Sequence, residues 1–411
     1  MDRNDRSITA FTMIAHALVH TYELSVPILM TIWLTEFSVT TATLGMIVTV
    51  GYALFGIGAL PGGILTDRLR AKDLILLCLI GMGGSFLLLS FAQNVATIAL
   101  ALAIWGIVAS VYHPAGLALI STGVEDRGTG FAYHGMAGNI GIAFGPLVTA
   151  ILLFPFEWRT VSALLAVPAV VGVLYAFTVS FDEGRADKST DGGDTGSRQS
   201  LGEIFTNMKQ LFAAGFGLVL FVVLCNGLFY RGTLTFLPDL LGSWLTVDLS
   251  GIPFFDANSR VAQEFDAARY LYVGLLISGI GGQYAGGKLS SRLQVEKALA
   301  GTFLLLAVIA TVFIPIANSG TVPLVLIAGA FGFVMFALQP LYQTAIAENS
   351  PESDRGLSYG LTYFSNFGVG ALGAALTGIL LTRYVPQTVF WILAVIPLVG
   401  VVLSLYLLKR S

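Results

Sequence analysis

Runs of about twenty apolar residues recur along the chain, parted by short polar breaks, and each is long enough to cross a bilayer as a helix. The pattern predicts spans over 8–35, 39–66, 73–93, 95–122, 129–154 and 159–180, then over 210–238, 268–290, 296–317, 322–348, 355–382 and 385–408. Two longer polar stretches interrupt it. FDEGRADKSTDGGDTGSRQSLGE has the Gly/Ser/Asp content of a solvated linker, and DLLGSWLTVDLSGIPFFDANSRVAQEFDAAR separates the seventh and eighth spans. The expected architecture is an all-α polytopic membrane protein with twelve transmembrane helices in two pseudo-symmetric six-helix bundles. Residues 1–180 form the first bundle, 181–209 a cytoplasmic linker, and 210–411 the second, with a long extracytoplasmic loop at 239–267. MDRNDRS runs directly into the first apolar stretch, which reads as a retained span rather than a cleaved signal.

Composition agrees with lipid as the solvent. Charged residues make up 11% of the 411 and the mean hydropathy is +0.82, whereas soluble domains carry roughly 25% charged residues. The net charge of −3 gives no reason to expect nucleic acid or a polybasic anchor. Cys78 and Cys225 lie in apolar runs of different halves, so neither a disulfide framework nor a cysteine metal site is expected. With both termini and the linker on one side, that side collects sixteen of the 21 Lys and Arg residues. The bias places both termini in the cytoplasm, for a chain spanning the cell membrane.

The halves repeat one another. ALPGGILTDRL (59–69) aligns without gaps to QYAGGKLSSRL (283–293), placing Arg68 opposite Arg292. Pro114 matches Pro340, the DRG at 126–128 matches the DRG at 354–356, and GNIG (138–141) faces SNFG (365–368), pairing Asn139 with Asn366. A further alignment sets Tyr22 and Glu23 opposite Tyr230 and Arg231. GQYAGGKL imitates a phosphate loop, but Leu289 stands where a magnesium-binding hydroxyl belongs and no strand precedes it. No ATPase or other enzyme is expected, and no cofactor.

GGILTDRLRAK resembles the loop signature of the major facilitator superfamily, G-x-L-x-D-R-x-G-R-K: Gly63, Leu65, Asp67, Arg68 and Lys72 match, while Arg70 and Ala71 depart from it. The resemblance covers the twelve-helix layout and implies alternating access by rocking of the halves. It implies that helices one, four, seven and ten line the cavity. It also implies that Asp67 helps hold the halves together near the start of helix eleven, where free N–H groups favour a carboxylate. ASVYHPAGLALIS and the H…H-x-Y…P of helix one are similar to the branch containing fosmidomycin-resistance-type exporters. GIAFGPLVTA is similar to the antiporter signature at Gly141, Gly145 and Pro146, with Thr149 and Ala150 in place of its paired glycines. Helix four lacks the arginine common in proton-coupled members and offers His113 instead.

Within HALVHTYELSVP, His16, His20 and Glu23 share one helical face, and ionisable groups in a membrane need a cavity or a partner. The cavity list adds Tyr22, His113, Asn226, Tyr230, Arg231 and Gln339, with Tyr342 and Gln343 on helix ten, His134 and Asn139 on helix five, and Tyr363 and Asn366 on helix eleven. Three readings follow. Glu23, His20 and His113 carry protons, with Arg231 as counter-charge to Glu23 or clamp for an anion. Alternatively His16, His20, Glu23 and His113 bind a divalent metal as cargo. In the third reading they are interhelical hydrogen bonds only. The expected function is secondary transport of a small molecule, proton-coupled and by export (antiport), in a monomer. The alternatives are a metal carrier and a non-transporting receptor of the same fold.

Overall fold

The computed structural model describes residues 1–184, 209, 212, 216–245, 266–350 and 355–410. Among these there is no strand, and the helices are α1 (Arg3–Glu36), α2 (Thr41–Thr66), α3 (Ala71–Ser90), α4 (Val95–Gly123), α5 (Arg127–Leu152), α6 (Trp158–Thr178), α7 (Phe216–Leu234), α8 (Ala267–Ser290), α9 (Val295–Ala317), α10 (Thr321–Glu348), α11 (Leu357–Arg383) and α12 (Pro386–Leu408). Eleven are long and apolar enough to cross a membrane; α8, of 24 residues, has the length but a more polar sequence. Helix starts fall where side chains cap free N–H groups: Asp2 accepts from Asp5 N, Thr40 from Thr43 N and Asn94 from Thr97 N.

The predicted spans match these helices within a few residues, except 210–238. There the helix ends at Leu234, and Leu237–Trp244 forms a separate short helix with Pro238 in its first turn. The loop expected at 239–267 therefore begins in helix, and its residues 246–265 lie outside the described part of the chain, as do 185–208 of the linker. The start of the linker is tied down, with Glu183 accepting from the Ala71 N–H at 3.0 Å.

Packing repeats. In residues 1–180, α1 lies along α5, α2 along α4 and α3 along α6; after residue 210, α7 lies along α11, α8 along α10 and α9 along α12. Close approach depends on glycine. A Cβ on Gly141 of α5 would sit 2.1 Å from the Ala17 carbonyl oxygen of α1, so the G-x-x-x-G of α5 seats α1 directly against it.

The sets meet along two flanks. Along one flank α2 runs against α11: Thr41 Oγ1 donates to the Gly378 carbonyl at 2.9 Å, Thr49 Oγ1 to that of Ala371 at 3.1 Å, and Gly56 faces Gly368 backbone to backbone. On the other flank α5 meets α8. A groove of about 460 Å³ opens between them, lined by Phe131, Met136, Asn139, Phe144, Gln283 and Tyr284 among others.

Candidate functional site

Helix α1 presents His16, His20 and Glu23 on one face, and all three are buried, Glu23 to 1% exposure. Pro27, four residues after Glu23, has no N–H to give, so the Glu23 carbonyl loses its helical donor. The Tyr52 hydroxyl of α2 takes that place, donating to the Glu23 carbonyl at 3.0 Å. The segment HALVHTYELSVP thus builds a carboxylate turn whose own backbone is anchored from a neighbouring helix.

The Glu23 side chain is held from both sides. The Nδ1 of His20 lies 2.5 Å from its Oε2, and Arg231 Nη2 of α7 donates to its Oε1. Arg231 is 3% exposed and lies over the Tyr52 ring at 3.8 Å, with Tyr230 and Phe367 at 5.4 and 5.7 Å. Stacked rings of this kind shield a guanidinium from lipid while its charge is met by the carboxylate. On the other side of His20, its Nε2 lies 3.1 Å from His16 Nε2, and His16 Nδ1 lies 2.7 Å from the His134 carbonyl oxygen of α5. A carbonyl only accepts, so His16 carries a proton on Nδ1. The His134 ring stacks on His16, centroids 3.9 Å apart and planes 15° from parallel.

His113 completes the group from α4. Its ring stands edge-on to His16 at 5.2 Å and to His20 at 5.6 Å, and it leans on Tyr363 of α11 at 4.8 Å. It follows directly on a break in α4 at Ser110 and Val111, where Pro114 removes a helical donor. The matched Pro340 leaves α10 unbroken from Thr321 to Glu348, so the paired prolines do not act alike.

The structure therefore gathers His16, His20, Glu23, His113, Tyr230 and Arg231 around one point. Other expected residues stand apart. Tyr22 turns to the back of α1, its hydroxyl donating to the Leu165 carbonyl at 2.9 Å and its ring against Phe86. Asn139 lines the α5–α8 groove, and Gln339 accepts from Gln283 at 2.6 Å beside it. Asn226 donates to Asn366 Oδ1 at 3.1 Å, and Asn366 sits in a π-helical turn of α11, Phe364–Val369, which also brings Phe367 over Arg231.

Around the end of α2 and the start of α3, Gly63 has open space around it, Arg68 is exposed, and Lys72 donates to the Val179 carbonyl at 2.7 Å. The Asp67 side chain lies outside the described residues; the helical segment bearing it, Ala59–Arg68, packs against Arg355–Tyr363 at the start of α11. The sequence reading missed Tyr52 and Phe367. Their signal is weak, since single aromatic residues within apolar spans are ordinary core residues.

His16, His20 and His113 bring one ring nitrogen each within 4.8 Å of the others. Two of those nitrogens are already bonded to each other, and the second nitrogen of His20 faces Glu23. A metal at about 2.0–2.1 Å from each ring would need both of these contacts opened. As it stands the arrangement is a continuous run of hydrogen-bond contacts from the His134 carbonyl to the Glu23 carboxylate.

A model of the Major Facilitator Superfamily matches residues 10–374 of this chain. An MFS-type transporter of Bacillus subtilis, YfnC, is 25% identical over 322 residues, 76% of this chain and 71% of its own length. The fosmidomycin resistance protein of Escherichia coli is 22% identical over 379 residues, covering 89% and 84%. A Na(+), Li(+), K(+)/H(+) antiporter of Planococcus maritimus is 27% identical over 180 residues, 40% of this chain and 41% of that one. Among solved structures, the nucleoside transporter NupG superposes with a TM-score of 0.73 at 16% identity over 100% of both chains. A bacterial homologue of the lysosomal transporter Spinster, inward-facing and occupied, superposes at 0.73 with 14% identity, covering 100% of this chain and 98% of its own.

Proposed function

The chain belongs to the Major Facilitator Superfamily and is a multi-pass membrane transporter of a small molecule, and we propose that it couples this transport to protons at Glu23 and His20. The observation that carries the reading is the buried pair between Glu23 of α1 and Arg231 of α7, with His20 on the second carboxylate oxygen. An ion pair withdrawn from water is costly to keep unless its geometry serves a purpose. This one joins the two helix sets, so its making and breaking follows their relative motion. The sets, 1–180 and 210–411 with α8 as a full span of the second, rock about the cavity as units.

Export in exchange for protons is the direction proposed. It draws support from the likeness to a resistance protein and a cation/proton antiporter, and from Gly141, Gly145 and Pro146 of α5. Tyr230, Asn226 and Asn366 face the cargo on the second set, His113 on the first, and Asn139 and Gln339 line its way through the α5–α8 groove. Gly63, Asp67, Arg68 and Lys72 form the gating loop on the cytoplasmic side of the cell membrane, and the transporter works as a monomer.

The test begins with a thermal-shift screen of purified protein against drugs, organic acids, sugars and divalent metals, because a ligand of the folded state raises its stability. The compound found is then loaded into proteoliposomes, and its flux is followed with and without a pH gradient. Flux that a pH gradient leaves unchanged in the wild type would end the coupling proposal.

A further inference from the structure

We propose that the transported proton rests on the His16–His20 imidazole pair and passes to Glu23 only when Arg231 withdraws, an inference that rests on the proton-coupled reading and gives its residues an order. The chain of contacts begins at an acceptor, the His134 carbonyl, and ends at another, the Glu23 carboxylate held ionised by Arg231. Between them lie two imidazoles and three contacts, of 2.7, 3.1 and 2.5 Å. Each contact needs one hydrogen, and two neutral imidazoles supply only two. The third is an added proton. Without it two lone pairs would face each other across one of these short contacts, leaving two buried acceptors unsatisfied at a cost that the added proton removes.

The proton belongs to the pair because the hydrogen between the two Nε2 atoms can sit on either ring. His134 is a positioning residue: its carbonyl fixes the His16 Nδ1 proton, and its ring, stacked at 3.9 Å, holds the His16 plane. Of the other titratable groups, Tyr112 and His113 of α4 touch the pair, Tyr363 of α11 leans on His113, and Arg231 of α7, with Tyr52 of α2 and Tyr230 against it, meets Glu23 at the far end of the chain of contacts. Among the described residues, none of these is a second carboxylate, and Tyr52 donates to the Glu23 carbonyl rather than to the chain.

Separation of the two helix sets carries Arg231 away from Glu23. The carboxylate is then an unpaired buried anion 2.5 Å from an imidazolium nitrogen. Transfer across that contact breaks the His20 Nδ1–H bond and forms an O–H bond on Glu23 Oε2. Both charges vanish, and no charged group is left without a partner on the first set. The proton now sits on the residue that faces the opened cleft; it passes from Glu23 Oε2 to water there, and Arg231 returns to the carboxylate so freed. His16 thus joins His20 as the resting seat of the proton, and Glu23 is the point of exit.

The experiment uses the full chain in nanodiscs with 15N-labelled histidine and 13C-carboxyl-labelled glutamate at neutral pH; with four histidines, single variants assign each ring. Nitrogen NMR of the wild type is expected to show three N–H groups over the four ring nitrogens of His16 and His20, and infrared spectra an ionised Glu23. In Arg231→Gln the pair should drop to two N–H groups while a protonated carboxyl band appears, and that band should vanish when Glu23→Gln is added. His16→Gln, which leaves the ion pair in place, should abolish the imidazolium signal. Two N–H groups in the wild type, or an imidazolium that persists in Arg231→Gln or His16→Gln, would overturn the proposal. None of these spectra requires transport. A wild type with the expected three N–H groups but no pH-driven flux would refute the coupled-transport reading alone.

Discussion

At the centre of the first helix set stand four imidazoles and a carboxylate, His16, His20, His113, His134 and Glu23; the second set answers with two amides and a guanidinium, Asn226, Asn366 and Arg231. The packing around them is nearly the same, α1 on α5 and α7 on α11. The contents diverge while the frame is kept. The imidazoles and the carboxylate are concentrated in one set, and the other supplies a single fixed charge. The loops show the same asymmetry, since the aligned counterpart of Asp67 is Ser291, which has no carboxylate. A repeat with one active and one responding half turns relative motion into a change of electrostatic environment, because the guanidinium cannot lose its proton and therefore acts by position alone.

The largest effect is expected from Glu23→Gln. It leaves Arg231 buried and unpaired, a loss of about 3–5 kcal/mol, read as a lower Tm, and it removes the proton acceptor, so pH-driven flux should fall to background. Flux at the wild-type rate would break the comparison outright. Gly56→Ala comes next. Its Cβ would meet the Gly368 nitrogen at 1.9 Å, so α2 and α11 must part, with overpacking costing about 1–3 kcal/mol. Thermal unfolding and the rate of cargo exchange should both change, whereas Gly84→Ala, in open space on α3, should change neither. Asn226→Ala strips Asn366 of its side-chain donor and should cost about 1–3 kcal/mol without altering the pH dependence of flux, the expected signature of the half that holds no protons. Asp67→Asn should slow exchange while leaving cargo affinity, measured by equilibrium binding, unchanged. Tyr22→Phe is the smallest: loss of the Leu165 contact is worth roughly 1 kcal/mol and should leave transport unaffected. A transport defect there would bring Tyr22 back into the cavity.

Much of this was legible in the sequence. The spacing of His16, His20 and Glu23 was enough to place them on one face, since helical geometry is local. The alignment of Tyr22–Glu23 with Tyr230–Arg231 suggested a cross-set pair, and Glu23 and Arg231 do meet. Tyr22 does not share that fate, because adjacent residues on a helix point about 100° apart, and the face behind Glu23 belongs to α3 and α6. The role of Tyr52 was hidden, because it answers a vacancy that Pro27 creates in a different helix.

The membrane solvent, the number and order of apolar runs, the repeat and the charges that cannot face lipid all follow from the amino-acid order, because each is fixed by composition or by local period. Which of those charges meet was settled by packing in three dimensions. The His16–His20 contact, its anchor at the His134 carbonyl and the grip of Arg231 on Glu23 join α1, α5 and α7, segments far apart in the chain. Their register is set by glycine contacts, a π-helical turn and a missing proline N–H, each of which acts through its neighbour in space rather than its neighbour in sequence.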